Sequence, residues 1–307
     1  MNPDARRRFR KDMTVPVLIN RGGGHTGDDG QARKRVAAAL AKAGIDGKIE
    51  LLDGQQLAMR VKKLVAAGAK LVIVGGGDGT VSAAAGSAAD SRTMLGILPM
   101  GTLNHLARDL GISFNLAEAA AVIADGKMRR IDVTELNGRV FVNTSAIGLY
   151  PLMVVDRDAQ QKRLGRSKRL AMLVASARTL ARFRHHRLTL TINGNDREVV
   201  ETPLLFVGNN DYKLAMPAAG RRSELDQGHL SVLVMADKGR AGMIAAVLRA
   251  LVGRARPGDM ERIENVETLR VTGRRQSLSV ALDGETLKIT PPLDYRIRKR
   301  ALRVMAP

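Results

Sequence analysis

The chain has no cysteine and no tryptophan, three tyrosines, five phenylalanines, and 30 acidic residues against 50 lysines and arginines. Without cysteine there is no disulfide framework, no thiolate zinc site and no cysteine nucleophile, and the composition fits a reducing compartment. So few aromatics leave little with which to stack the bases of single-stranded nucleic acid, and neither a helix-turn-helix nor a zinc-finger pattern occurs, so no specific nucleic-acid partner is expected. No apolar run approaches the roughly 20 residues of a spanning helix. The longest, Leu170–Ala177 and Met243–Leu248, are closed by arginine. The N-terminus sets Arg6, Arg7, Arg8, Arg10 and Lys11 before the apolar Met13–Ile19, in the order of a signal peptide. That run is short, contains Pro16 and passes into a glycine loop with no small-residue cleavage site, so it reads as a first strand. The expectation is a cytoplasmic protein that at most touches the inner face of a membrane.

What is present is an ordinary globular composition, 45% hydrophobic and 26% charged over 307 residues, enough for two domains or one large one. The charge balance, 50 − 30 = +20, calls for polyanionic company: nucleic acid, nucleotide phosphates or an anionic membrane face. In the first half, short apolar runs alternate with helical spacings. Val15–Asn20, Leu71–Val74 and Leu95–Leu98 read as strands, and Gln31–Ala43, Gln55–Ala67 and Thr102–Leu110 as helices, the last closed by Gly111. A further helix is expected from about Val81. This alternation predicts crossover units and a mostly parallel sheet. After about Gly126 the pattern changes to short strands: Met128–Leu136, Val140–Thr144, Leu188–Asn193, Arg197–Thr202, Leu204–Gly208, Leu230–Met235, Thr268–Val271, Leu278–Leu282 and Thr286–Thr290. Two long helical patterns, around Arg166–Phe183 and Ala241–Val252, interrupt them. The expected fold is α/β, with an N-terminal nucleotide-binding domain at 1–127 and a mostly antiparallel β-sandwich domain at 128–307, whose C-terminal segment can pack back on the first.

Chemistry concentrates in Leu71–Thr80, a strand that runs into Gly75-Gly76-Gly77-Asp78-Gly79-Thr80. Glycines there leave backbone N–H groups uncovered, and the following helix adds its positive end, the elements of a phosphate nest. Asp78 would repel a phosphate directly, so it holds a metal, fixes the loop or orients a nucleotide hydroxyl. Asn20-Arg21-Gly22-Gly23-Gly24 ends the first strand and Pro99-Met100-Gly101-Thr102-Leu103-Asn104 follows the third, with Thr102 placed as a helix N-cap or phosphate contact. Ligands of open α/β sheets sit beyond the carboxyl ends of the strands, where these three loops would meet. Neither a P-loop nor a GxGxxG spacing is present.

The pairing of Gly75–Thr80 with Pro99–Arg108 resembles the catalytic domain of the diacylglycerol kinase and sphingosine kinase family, and more closely its bacterial soluble lipid kinases. The likeness extends through Phe141–Ser145, Gly208-Asn209, Leu225–Leu230 and Leu282–Glu285. It implies an ATP-dependent kinase that transfers the γ-phosphate to a membrane-lipid hydroxyl, with a diacylglycerol-like acceptor and Mg²⁺. The resemblance puts ATP against Asn20, Gly22, Gly23 and Gly24, against Gly75, Gly76, Gly77, Asp78, Gly79 and Thr80, and against Gly101, Thr102 and Asn104. It puts the general base in Asp283-Gly284-Glu285, with Asp283 favoured and Glu285 the alternative, and makes Asp78 a further catalytic candidate. It also implies a structural Mg²⁺ around Leu225–Leu230, held by the Asp226 carboxylate with the carbonyls of Gln227 or His229. The sequence departs from the family pattern at Asn210–Ala215, at Gln227-Gly228 where an Asp-Gly pair is usual, and around Leu51–Gly54.

Gln160–Arg187 carries nine basic residues and no acidic one, interleaved with Leu164, Leu170, Met172, Leu173, Val174, Leu180 and Phe183. It reads as a basic amphipathic helix, lying on an anionic membrane surface or packed with a solvated face. Edge strands in the second domain could pair subunits into a homodimer. The competing functions are an NAD kinase-like phosphotransferase and a non-catalytic basic protein that binds nucleotide, membrane or nucleic acid.

Overall fold

The computed structural model describes residues 14–21, 29–148, 186–212, 221–222, 224–236 and 256–307, with isolated positions between 239 and 249. The chain forms two compact units. One comprises Met1–Val133, Val140–Asn143 and Arg298–Pro307, the other Thr134–Arg139 and Thr144–Ile297.

The first unit begins with β1 (Val15–Asn20), α1 (Asp29–Lys42), β2 (Gly47–Leu52), α2 (Gly54–Ala66), β3 (Leu71–Gly76), α3 (Asp78–Ala88) and β4 (Met94–Pro99). The strands lie in the order β2-β1-β3-β4, all parallel. β3 is buried at every position and β4 at all but its first, as expected of a parallel sheet covered on both faces. Each Val, Leu or Ile buried in this way contributes about 1.5–3 kcal/mol relative to exposure. α1 buries Val36, Ala39 and Leu40, and α2 buries Leu57 and Val61, one stripe per helix. After α4 (His105–Asp109), Gly111 takes φ +74°, the left-handed exit that ends many helices. α5 (Leu116–Asp125) is capped by Asn115, whose Oδ1 accepts from the Ala117 N–H at 2.9 Å. It packs Ile123 over Gly96 of β4, where a Cβ would lie 3.1 Å from Ile123 Cδ1.

β5 (Lys127–Leu136) turns through Asn137-Gly138, both at positive φ, into β6 (Arg139–Phe141). The second unit then holds two antiparallel sheets. One runs β12 (Met260–Val266), β11 (Leu230–Met235), β10 (Leu204–Asn209), β7 (Thr144–Gly148), β14 (Leu278–Leu282) and β15 (Glu285–Ile289). The other joins the start of β16 (Leu293–Ala306) to β13 (Thr268–Gly273), β8 (His186–Ile192) and β9 (Asp196–Thr202). The Ser145 hydroxyl on β7 and the Tyr295 phenol on β16 hydrogen-bond at 3.0 Å, tying one sheet to the other inside a sandwich core. Burial there pushes the Tyr295 phenol well above its usual range, so it stays a neutral donor or acceptor.

The expected α/β fold with its antiparallel second half is present. Several local expectations change. The single strand expected at Val140–Thr144 is two strands, β6 and β7, broken at Val142-Asn143. β2, α5, β12 and β16 were not anticipated. β16 gives Leu293–Ile297 to the second unit and its remainder to the first, where Arg303 and Val304 pair in parallel with Met94 and Leu95. At Arg300 the backbone is left-handed (φ +52°), and its N–H donates to Oδ1 of the fully buried Asp132 at 2.6 Å. The basic helix expected in Gln160–Arg187 lies outside the described residues up to His185, and the helix expected in Ala241–Val252 does so at most of its positions.

Candidate functional site

In the first unit the carboxyl ends of β1, β3 and β4 come level. Ile19 pairs with Gly75, and Gly76 with Pro99. Asn20 Nδ2, at the end of β1, donates to Thr80 Oγ1 at 2.8 Å. The Met100 N–H donates to the Gly76 carbonyl at 3.0 Å. The glycines of these turns are dictated first by packing. A Cβ on Gly76 would lie 2.6 Å from Thr80 Cβ, and one on Gly101 would overlap Gly77 Cα. The turns after β3 and β4 therefore touch backbone to backbone.

Where a helix was expected from about Val81, α3 begins three residues earlier, at Asp78, with Gly77 as its N-cap and the Val81 N–H bonded to the Gly77 carbonyl. Gly77 brings no side chain to cap the helix, so the N–H groups of Asp78, Gly79 and Thr80 stand in its first turn without an intrahelical acceptor. That is an anion-binding geometry, reinforced by the helix dipole. Asp78 sits in the first turn, and its Oδ1 accepts the His105 N–H at 2.7 Å. Through this bond the Asp78 carboxylate fixes the turn after β3 to the start of α4.

The second expected helix also starts elsewhere. Thr102 is exposed, and α4 starts at His105. Asn104 takes the position before it, buried and left-handed at φ +48°. Its Oδ1 accepts the Gly101 N–H at 2.9 Å, and its Nδ2 donates to the Gly101 carbonyl at 2.8 Å. This local clamp competes with helix extension and shortens the helix expected over 102–110. Arg108 Nη2 lies 2.6 Å from His105 Nδ1, which is therefore the acceptor, since guanidinium only donates. The i, i+3 spacing of His105 and Arg108 was the signal for this pair, which sequence reasoning passed over. Gly22, Gly23 and Gly24 lie outside the described residues.

In the second unit Asp283 and Gly284 form the two-residue turn between β14 and β15, with φ +45° and +88°, a type I′ geometry. The Asp283 N–H donates to the Thr144 carbonyl at 2.9 Å, and Asp283 Oδ1 accepts the Thr144 N–H at 2.8 Å. Its carboxylate is thus fixed to the start of β7 and half-buried, while Glu285, across the hairpin from Leu282, is exposed. Around the expected metal segment, Asp226 is exposed. Gln227 Oε1 accepts the Asp211 N–H at 2.9 Å, and His229 Nε2 lies 3.2 Å from Asp211 Oδ2. Among the described residues no three His, Asp or Glu side chains gather to hold a metal.

The sequence model for the diacylglycerol kinase catalytic domain matches residues 14–136, and that for the YegS C-terminal NAD kinase beta sandwich-like domain matches residues 153–306. A Bacillus subtilis protein named diacylglycerol kinase is 36% identical over 95 residues, 30% of this chain and 31% of that protein. One of the same name from Staphylococcus aureus (strain JH9) is 26% identical over 167 residues, 54% of this chain and 52% of that protein. Its counterpart in Staphylococcus saprophyticus is 39% identical over 80 residues, 25% of this chain and 26% of that protein. These matches span between a quarter and about half the length of those relatives. A crystal structure of a diacylglycerol kinase from Bacillus anthracis str. Sterne aligns over 96% of this chain and 97% of that one, with a TM-score of 0.68 at 20% identity, a likeness of fold.

Proposed function

The chain belongs to the diacylglycerol kinase family, and from that premise we propose that it is an ATP-dependent kinase acting on a lipid hydroxyl. The observation that carries the reading is the start of α3. Three backbone N–H groups there lack an intrahelical acceptor beside the touching turns at Gly77 and Gly101. A polyphosphate supplies acceptors for those groups at the positive end of the helix dipole. Residues 1–127 are assigned to the nucleotide and 128–307 to the acceptor. ATP enters as its Mg²⁺ chelate, bound by Asn20, the glycine turns, Thr80, Thr102 and Asn104.

Phosphoryl transfer needs positioning, charge stabilisation and a proton acceptor. The base is assigned to Asp283, with Glu285 as the alternative. As the lipid oxygen bonds to the γ-phosphorus and the bond to the β,γ-bridging oxygen breaks, the carboxylate takes the hydroxyl proton and ADP leaves. A backbone N–H bond to Asp283 Oδ1 fixes the orientation of that carboxylate. Asp78 acts from the nucleotide side by holding the two turns together. Diacylglycerol is the favoured acceptor, which makes the product a phospholipid precursor. No helix among the described residues is long and apolar enough to cross a membrane. The net charge of +20 and the basic stretch 160–187 support peripheral contact with anionic lipid.

The test is transfer of label from γ-labelled ATP, with Mg²⁺, to diacylglycerol or a total lipid extract in mixed micelles, with NAD offered in parallel. A labelled lipid is expected, and its mass identifies the acceptor. Label on NAD, or bound ATP with no transfer to either, overturns the lipid-kinase reading.

A further inference from the structure

The structural Mg²⁺ that the family resemblance implies around Leu225–Leu230 does not fit the residues that stand there. Mg²⁺ takes six oxygens in octahedral geometry, several of them waters, and is held by one or two protein carboxylates with lone pairs free to reach it. The Asp211 carboxylate, the Asn210 and Gln227 side-chain oxygens and the Asn209 and Tyr212 carbonyls each already accept an N–H. Asp211 Oδ1 takes Nη1 of Arg262 from β12, and Asp211 Oδ2 takes His229 Nε2 at 3.2 Å. The Tyr212 carbonyl takes Arg262 Nη2 at 2.9 Å, and the Asn209 carbonyl takes Arg222 Nη1 at 3.1 Å. Gln227 Oε1 takes the Asp211 N–H at 2.9 Å, and Asn210 Oδ1 takes the Gln227 N–H at 3.1 Å. Asn210 Nδ2, buried here without a partner, is a donor and repels a cation. Asp226, the carboxylate expected to anchor the ion, is exposed and takes no part in these bonds.

Among the described residues, the carboxylate engaged in these bonds is Asp211, set against the guanidinium groups of Arg262 and Arg222. We infer that the Arg262 guanidinium, in place of a divalent ion, is the cation that ties the exit of β10 to β12, with Asp211 carrying the link on to Gln227 and His229 before β11, so that the second unit holds together without a structural metal. Its planar fork reaches the Asp211 carboxylate and the Tyr212 carbonyl together, two oxygens that an ion would otherwise share. Unlike a bound ion, a guanidinium is part of the chain and is neither diluted away nor chelated. Mg²⁺ would then enter the reaction with ATP alone. The inference does not depend on the kinase assignment, because its readout needs no turnover.

The experiment takes the full chain, free of nucleotide, through elemental analysis and thermal unfolding in EDTA, Mg²⁺, Ca²⁺ and Mn²⁺. Coincident melting curves and no stoichiometric divalent ion are expected. A structural ion present at a hundred times its Kd would instead raise melting by roughly 5–10 °C over EDTA. Such a shift, or one ion per chain retained through gel filtration, overturns the inference. Arg262→Met removes the guanidinium while keeping an apolar stem, and should lower the melting temperature in EDTA and in Mg²⁺ alike. Wild-type melting in Arg262→Met would also overturn the inference, and if that variant does not fold, the wild-type comparison decides alone.

Discussion

The contact between the turns after β3 and β4 can be tested with a graded set of glycine-to-alanine changes. Gly101→Ala places a methyl group where Gly77 Cα already lies and 2.9 Å from Asn104 Oδ1. The first obstacle is backbone at the N-cap of α3, and the second is a side chain clamped at both ends to Gly101, so neither moves aside by a rotamer change. Forcing a methyl into such a space destabilises by about 1–3 kcal/mol. In a unit of this size each kcal/mol moves the melting temperature by about 2–4 °C, so the expected loss is roughly 2–12 °C. Gly75→Ala meets Met100 Sδ at 2.8 Å and Ile19 Cγ1 at 3.5 Å, side chains that can shift, and should fall at the low end or below it. Gly54→Ala, at the start of α2 with nothing within 4 Å, should be neutral or gain about 0.4–1 kcal/mol through the unfolded chain.

The assay pairs thermal unfolding with equilibrium binding of ATP. Because the methyl pushes Gly77 out of place, Gly101→Ala should also weaken ATP binding, whereas Gly54→Ala should leave it unchanged. A Gly101→Ala protein with wild-type melting and wild-type ATP affinity would refute both the backbone contact and its assignment to the nucleotide site.

Three further outcomes follow from the same geometry. Asp283→Asn keeps the left-handed turn, since Asn-Gly suits type I′ at least as well as Asp-Gly, but removes the base; melting should hold while labelled-lipid formation falls about 10²–10⁴-fold, and if Glu285→Gln causes that loss instead, the base is Glu285. Asp78→Asn retains the acceptor for the His105 N–H and gives up the charge beside the α3 N-terminus, a change of about 0.3–1 kcal/mol, whereas Asp78→Ala leaves that N–H without its partner and should lower stability by about 1–3 kcal/mol in denaturant titration. The Arg60 hydrogen bond holds the Glu50 carboxyl below its ordinary 4.5. The contribution of this part-buried, solvent-screened pair, about 0.2–1 kcal/mol, is therefore present above that value and fades as pH falls through the lowered one. Unfolding of Glu50→Gln and wild type should differ at neutral pH and converge in acid; a gap that persists there would count against the pair.

The elements that could be read from sequence are those whose burial leaves a one-letter trace. β1, β3 and β4 lie in the middle of a covered parallel sheet, so they appear as bare apolar runs ending at Asn20, Gly76 and Pro99. β2 lies on the edge of the same sheet, partly exposed, and its Gly-Lys-Ile-Glu-Leu-Leu shows no such run. β16 alternates cleanly through Leu293, Tyr295 and Ile297, then meets the left-handed Arg300 and changes phase. Five basic residues along it hide a strand whose last three residues are buried. α5 did leave a signal, Asn115 followed three residues later by Glu118 ahead of an apolar run, and the structure uses Asn115 as the cap.

In the candidate site, residue type was legible and conformation was not. Glycine has low helix propensity, so Gly75–Thr80 reads as loop as far as Thr80. Yet Gly75 and Gly76 finish β3 and Gly77 caps α3, because these three positions are the ones that tolerate the crowding from Met100, Thr80 and Gly101. The same ambiguity hides Asn104, since Thr102 is an equally good N-cap letter. What selects Asn104 is its pair of bonds to Gly101, which exists only once the turn has closed. The glycine pattern therefore carries two messages at once. Gly76 and Gly101 are required by the protein's own backbone, while the N–H groups that their small size leaves uncovered at Asp78, Gly79 and Thr80 are what a phosphate would use. The phosphate site proposed here would follow from close packing of two strand-to-helix turns, and its sequence signature is the packing requirement rather than the ligand.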